Sequence, residues 1–517
     1  MARIIQTAEL IQDARLGANE QDWIYNGLDC CVTLEILHEL LGQADEAAWN
    51  TYNFSRSLQG PILEMTMRGF LVDQRARNRV LNSTKTDIKI LGDNLTEIIK
   101  DGIGLDLNWR SPAQLKRLFY EILDLKPIRK RNANGIMAPT VNREALEKLE
   151  IYLIAEPICH HLLALRDLDK RRQFLETGID PDGRLRTSLN IAGTDTGRLS
   201  SSLSDMGTGG NLQNVDRELR SICIADKGKK FANLDLEQAD ARNVGSICWE
   251  LFYEKHGAEF AGAYLDACES GDLHTNVCRM AWTDKPWTDD PKANRAIADV
   301  IAYRQDSFRQ LSKKLGHGTN YYGTPPTMAK HTKVAVALIK DFQARYFAGF
   351  PCIPEWHNYV RNEIRTSGVL TTLFGRRRMF HGRAYDDTTL RAAIAHSPQS
   401  MTGDEINTGI IKLFRANRVE LMIQVHDNVV IQYDEDREEE IIPWAIETLR
   451  TTLRLKGGRD FTVPVDCKVG WNWADEEYNK DGTVSKNIGG LAKWKGKKDK
   501  RSRPEYSGMS LKNLFQK

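Results

Sequence analysis

Apolar positions recur every three to four residues over most of this chain and every second residue in a few short stretches, which predicts a largely helical protein with a small sheet. Residues 1 to 45 read as helical, with an apolar stripe of Ile24, Leu28, Val32 and Leu34 to Leu41. Residues 46 to 185 are also mostly helical. Asp73 to Lys100 forms a long amphipathic pattern, and Ser111-Pro112 is a helix start with proline in the first turn. From Arg186 the pattern changes. RLRTSLNIAG is strand-like and leads into a Gly/Ser-rich loop, Gly193 to Gly210. A short strand, Lys230 to Leu236, then runs into a helix at about Gln238 to Phe252, and residues 255 to 395 return to helix, broken by Pro286, Pro291, Pro325 and Pro326. ELMIQVHDNVVIQY (420 to 433) alternates as a β-hairpin, with Leu421, Ile423 and Val425 on one face and the turn at His426-Asp427-Asn428. After Tyr478 the chain is polar and lysine-rich, and 480 to 505 reads as a flexible tail. No internal repeat is visible.

At 517 residues the chain is too long for one core and implies several subdomains. No apolar run approaches the ~20 residues of a membrane span, and the first residues lack the apolar core of a signal peptide. A cytoplasmic location, without membrane association, is the expectation. Nine scattered cysteines with no CxxC pair point to reduced thiols and away from structural zinc. Lys plus Arg is 72 against 70 acidic residues, a net charge of +2, so the chain does not coat nucleic acid indiscriminately. Basic residues do cluster at Lys126–Arg131, Lys170–Arg172, Arg376–Arg378 and Lys493–Arg503. Each cluster alone reads as a solvated face; together with a carboxylate site they suggest a polyanionic partner.

Four constellations carry candidate chemistry. Asp235 ends the alternating strand FANLDL just before a helix, where a lone aspartate is ordinarily a cap. Asp427 sits at the hairpin tip, where Asp-Asn also serves a plain turn. Two carboxylates at adjacent strand ends are what two Mg²⁺ ions about 4 Å apart require. Arg309, Lys313, His317 and Tyr321, each four residues apart, share one helix stripe: two cations for phosphate oxygens, then two flat rings. A solvated face is the bland alternative, but Gly316 and Gly318, at a cost of about 1 kcal/mol each relative to alanine, suggest that something approaches the backbone closely. Last, TDTGRLSS (194 to 201) followed by NLQN (211 to 214) makes a hydroxyl-rich loop suited to tracking a sugar-phosphate backbone.

In chain order these segments, with LDLEQADAR, GDLH, RxxxKxxxHGxNY, FGRRR, RAAIAHSPQ and QVHDN, resemble the family A (polymerase I-like) DNA polymerases, in particular those of bacteriophages, over about residues 50 to 478. The resemblance implies an α+β right-hand polymerase fold: thumb 46–185, palm 186–250 and 396–478 with an antiparallel sheet, helical fingers 251–395, and a basic flexible tail 479–517. It implies a DNA-templated DNA polymerase serving phage replication in the bacterial host cytoplasm, with primer-template DNA and dNTPs as partners. Its cofactors would be two Mg²⁺ ions, replaceable by Mn²⁺, held by Asp235, Asp427 and the carbonyl of Leu236. Gln238, Asp240, His274, Arg309, Lys313, His317 and Tyr321 would bind the dNTP, and Arg198, Asn214, Gln399 and His426 the primer-template.

There are departures from the family pattern. His317 replaces Phe or Tyr, Asp240 replaces the glutamate that excludes a 2′-hydroxyl, Asn428 replaces a glutamate, and Ala395 replaces an asparagine. Met206–Gly210 lengthens the loop before NLQN, and a Trp-containing segment, about Ala281 to Tyr303, lengthens the fingers. A non-catalytic relative would lack Asp235 or Asp427; the acidic residue at 240 argues against an RNA polymerase or reverse transcriptase. Tyr25 and Asp29 resemble the last motif of a 3′–5′ exonuclease, so residues 1–45 read as a remnant of that domain. No exonuclease activity is expected of this chain alone, and the stripe from Ile24 to Leu41 would suit a separate exonuclease subunit or replication partner.

Overall fold

Strand β1, Lys229–Leu236, buries Phe231, Ala232, Leu234 and Leu236 and lies at the centre of a sheet in a computed structural model that describes residues 17–132, 135–479 and 483–506. Its neighbours come from far along the chain. The predicted hairpin forms as β2 (Glu420–Val425) and β3 (Asn428–Asp434), and β3 pairs with β1. On the other side stand β4 (Val465–Gly470) and the short β5 (Ala492–Lys493). The order is β2-β3-β1-β4-β5, antiparallel throughout. One face packs into a core of Phe70, Phe231, Met422, Val430 and Trp473, where the Phe70 and Trp473 rings stack at 4.7 Å.

Two compact units emerge from the chain. The sheet unit comprises Gln59–Ala239, Thr402–Arg454 and the described residues from Asp460 onward. It also holds a separate helical core, where Gln74–Ile103 lies against Glu156–Glu176 around Leu95, Ile99, Ile158 and Leu162. Asp73 and Ser111 cap their helices as the sequence predicts. The helical unit comprises the described residues through Leu58, Asp240–Met401 and Leu455–Arg459. Its principal helices are α1 (Ala239–Glu269, broken at Gly257), α2 (Leu273–Ala281), α3 (Phe308–Asn320), Val336–Gly349 and Cys352–Thr366. Two small hairpins, Ile301–Tyr303 with Asp306–Ser307 and Val369–Thr371 with Arg377–Met379, interrupt what the sequence reads as helix. Among the described residues no helix is long and apolar enough to cross a membrane, and all nine cysteines are free, seven of them buried.

The expected flexible tail is corrected over 483–506. Lys493, Asp499, Arg501 and Arg503 find partners distant in sequence, so this part of the segment is held against the sheet unit while its other lysines stay exposed. Lys230, on β1, is 2% exposed and donates to Glu438 at 2.8 Å and Asp499 at 3.2 Å. Arg501 pairs with Asp499 and Glu476 and donates to the carbonyls of Val469 and Gly490. Arg503 donates to the carbonyls of Ala225, Asp226 and Lys229. Residues 480–482 and 507–517 of the expected tail and the first 16 residues of the expected exonuclease remnant lie outside the described residues.

Candidate active site

The structure brings Asp235 and Asp427 together. Asp235 is the penultimate residue of β1, with Asn428 directly across from it on β3 and Asp466 across from it on β4. Asp427 precedes β3 in the two-residue turn, and its carbonyl accepts the Leu236 N–H at 3.1 Å. The Glu237 N–H is held by the Pro464 carbonyl at 2.8 Å, so the end of β1 is fixed from both sides. His426 (φ 56°) and Gln238 (φ 53°) both adopt the left-handed region that non-glycine residues avoid. Such a conformation costs roughly 1–3 kcal/mol and persists where the surroundings enforce it.

Burial first, and then the charge of Asp427, push the Asp235 carboxyl up to about 7; Asp466 adds to the rise, while an Asn428 hydrogen bond and Lys468 oppose it. Two oxygen-donor carboxylates that repel each other in this way suit a divalent cation, which removes the repulsion. Among the described residues no group of three or more His, Cys, Asp or Glu could hold a metal. Independently of that, two hard carboxylates are a donor set that could suit Mg²⁺, which takes one or two carboxylates and keeps its other positions for water and phosphate oxygens. Asp466 and Lys468 went unnoticed in the sequence reading. Their signal is the alternation of VDCKV, which buries Val465, Cys467 and Val469 and turns Asp466 and Lys468 to the other face. With Asp235, Asn428 and Arg220 they line a cavity of about 200 Å³.

The NLQN segment forms a short 3₁₀ turn, Leu212–Asn214. Buried Gln213 donates to the carbonyl and side-chain oxygen of Gln424, both at 3.1 Å, and Gln424 in turn donates to the His426 carbonyl. The turn carrying Asp427 is thus braced from the polar loop. Asn214 and His426 are exposed and Arg198 half-buried against Gly403, all in the sheet unit; half-buried Gln399 lies on the helix Asp387–Ala416.

In the helical unit, Ser307 and Gln310 form a capping box that starts α3. Arg309, Lys313 and His317 follow at intervals of four, and Tyr321 caps the helix. The His317 and Tyr321 ring centroids are 4.6 Å apart, and the Tyr321 hydroxyl donates to Asp240 at 3.0 Å. Arg309 is held by Asp272 through Nε (2.8 Å) and Nη2 (3.0 Å). Burial, then the Arg309 and Lys313 charges, pull His274 down to about 4, which makes it a neutral donor or acceptor near pH 7. The close approach to the backbone expected at the two glycines is present, and the structure names what approaches. A Cβ on Gly318 would meet Met328 Cε at 2.9 Å, and one on Gly316 would meet the Tyr346 ring at 3.4 Å, so it is the protein's own core that approaches the backbone. Tyr25 and Asp29 are both exposed on the helix Ala18–Gln43, which buries none of its residues.

A family model described as DNA polymerase family A matches residues 78–475. The thermostable DNA polymerase I of Thermus filiformis is 27% identical over 84% of this chain and 49% of its own length. DNA polymerase I of Deinococcus radiodurans is 26% identical over 86% of this chain and 44% of its own. This chain thus spans about half the length of these curated relatives. They are bacterial enzymes, and the phage origin expected from the sequence has no support among them. The solved POL domain of Pol1 from M. smegmatis, in complex with DNA primer-template and dNTP, is similar in fold with a TM-score of 0.61 at 22% identity, covering 80% of this chain and 69% of that one.

Proposed function

Because the chain belongs to DNA polymerase family A and has its α+β right-hand fold, we propose that it is a DNA-templated DNA polymerase that adds dNTPs to a primer 3′ end and releases pyrophosphate. The observation that carries the reading is the Asp235–Asp427 pair at the end of β1, with Asp235 pushed up to about 7 by burial and by its neighbour. Asp235, Asp427 and the Leu236 carbonyl would hold two Mg²⁺ ions, which when bound activate the attacking hydroxyl and offset charge on the leaving phosphates. Arg309 and Lys313 bind the triphosphate as fixed cations, and neutral His274 contributes a hydrogen bond instead of a charge. His317 and Tyr321 offer flat surfaces to the nascent base pair, with Gln238 and Asp240 at the sugar. Arg198, Asn214, Gln399 and His426 hold the primer-template. In this reading 46–185 is the thumb, 186–250 with 396–478 the palm, and 251–395 the fingers.

Primer extension with dNTPs or rNTPs, on DNA and RNA templates, tests the proposal. Extension is expected with dNTPs on DNA; no extension, or a preference for rNTPs, overturns it. Ribonucleotide rejection depends on Asp240. Its side chain is one methylene shorter than glutamate and is held by the Tyr321 hydroxyl, which leaves room where a 2′-hydroxyl sits. Asp240→Glu is expected to raise the dNTP-over-rNTP incorporation ratio on the order of 10-fold, the usual worth of one methylene in a pocket. Equal single-nucleotide ratios in the two proteins would remove Asp240 from that role.

A further inference from the structure

One carboxylate in the helical unit collects an unusual set of donors. Asp272 caps α2 through the backbone N–H groups of His274 and Thr275 and accepts the Thr275 hydroxyl at 2.9 Å. It also receives two guanidinium groups: Arg309 through Nε and Nη2, and Arg295 through Nη1 at 2.9 Å. Burial works against its charge, but the Arg309 and Thr275 bonds hold the carboxyl well below the usual range, so Asp272 is an anion.

This creates a conflict for Arg309. A guanidinium meant for a triphosphate already has a carboxylate on one edge, and that pair alone is neutral. Arg295 resolves the conflict. It comes from the Trp-containing segment that sets this chain apart in the sequence, on the short helix Pro291–Ala298, which is anchored by buried Asn294 and Ala298. Asn294 exchanges hydrogen bonds with the Thr288 backbone in both directions, at 2.8 Å each, so the helix that presents Arg295 is fixed to its loop. Arg295 Nε is steadied by Asp299 at 2.6 Å, which leaves Nη1 to reach Asp272.

We propose that Arg295 is a positioning residue for the incoming nucleotide: by sharing Asp272 with Arg309 it offsets the carboxylate that would otherwise neutralise Arg309, and so keeps the α3 cations available to the triphosphate. The inference rests on the polymerase reading. With Arg295 present, Arg295, Arg309 and Lys313 outnumber Asp272 and Asp299; without it, two cations face two anions. His274, lowered first by burial and then by Arg309 and Lys313, is lowered further by Arg295, which places that guanidinium in the same electrostatic neighbourhood.

Steady-state single-nucleotide addition tests this in the full chain. Arg295→Gln is expected to raise the KM for dNTP about 5-fold with kcat and primer-template affinity near wild type, the signature of lost ground-state binding. Arg295→Lys should recover most of the loss. In an Asp272→Asn background, where the competing charge is gone and the cap survives, Arg295→Gln should add nothing further. An unchanged KM in Arg295→Gln overturns the proposal, as does a loss of equal size in the Asp272→Asn background or a fall in kcat alone. If the wild type extends no primer, the polymerase reading itself falls and this proposal falls with it. If the wild type extends primers and Arg295→Gln matches it in KM, only this proposal fails.

Discussion

Asp235→Asn and Asp427→Asn are each expected to lower Mg²⁺-dependent primer extension by at least about three orders of magnitude, because in the proposed mechanism each removes a charge that would place a cation against the reacting phosphate. Primer-template affinity should stay near wild type, since the proposed reading assigns the duplex to other groups. Stability should not fall. Asp235 is a carboxylate disfavoured by burial and by Asp427, so its neutral isostere removes a repulsion from the metal-free protein. Its melting temperature is expected to hold or rise while activity disappears, the usual sign of a site that trades stability for function. Extension at more than a tenth of the wild-type rate by either variant would remove the two aspartates from the catalytic role.

Lys230→Met should be the most damaging change far from the chemistry. Lys230 is buried over the Trp471 ring at 4.2 Å, between Glu438 (0% exposed) and Asp499 (11% exposed). Removing Lys230 takes the cation from fully buried Glu438, while Asp499 keeps Arg501; breaking a buried pair in this way typically costs about 3–5 kcal/mol. Urea unfolding followed by circular dichroism measures the loss. The companion variant Lys230→Met with Glu438→Gln should recover part of the loss. A cost below about 1 kcal/mol, the scale of an exposed pair, would mean that the cluster is solvated in solution.

The parts of the site that were legible in the sequence are those written in local patterns. Alternation in ELMIQVHDNVVIQY marks the hairpin and puts Asp427 at its tip, FANLDL marks Asp235, and intervals of four align Arg309 with Tyr321. What was not legible depends on partners far away in the chain. Lys493–Arg503 reads as a solvated tail because nothing local reveals that Glu438, Glu476 and Lys230 await it. The bidentate tie between Arg309 and Asp272 crosses 37 residues, and the cause of Gly318 is a methionine side chain from the next helix. Charge and glycine are ambiguous letters: each records a neighbour without naming it.

The central position of β1 has a consequence for how the protein is made. Lys229 meets Glu420 only 191 residues later, and Lys230 meets Asp499 after 269. At roughly 5–20 residues per second on a ribosome, β1 waits about 15–50 s, with Phe231, Ala232 and Leu234 lacking the strands that cover them. Contacts so distant in sequence also close slowly once available. The carboxylate pair is therefore among the last features to assemble, and a nascent chain stalled before residue 483 lacks the Asp499 that helps to bury Lys230 on β1. Soluble yield should depend on translation speed and on chaperones that shield β1, more than on any property of the finished fold.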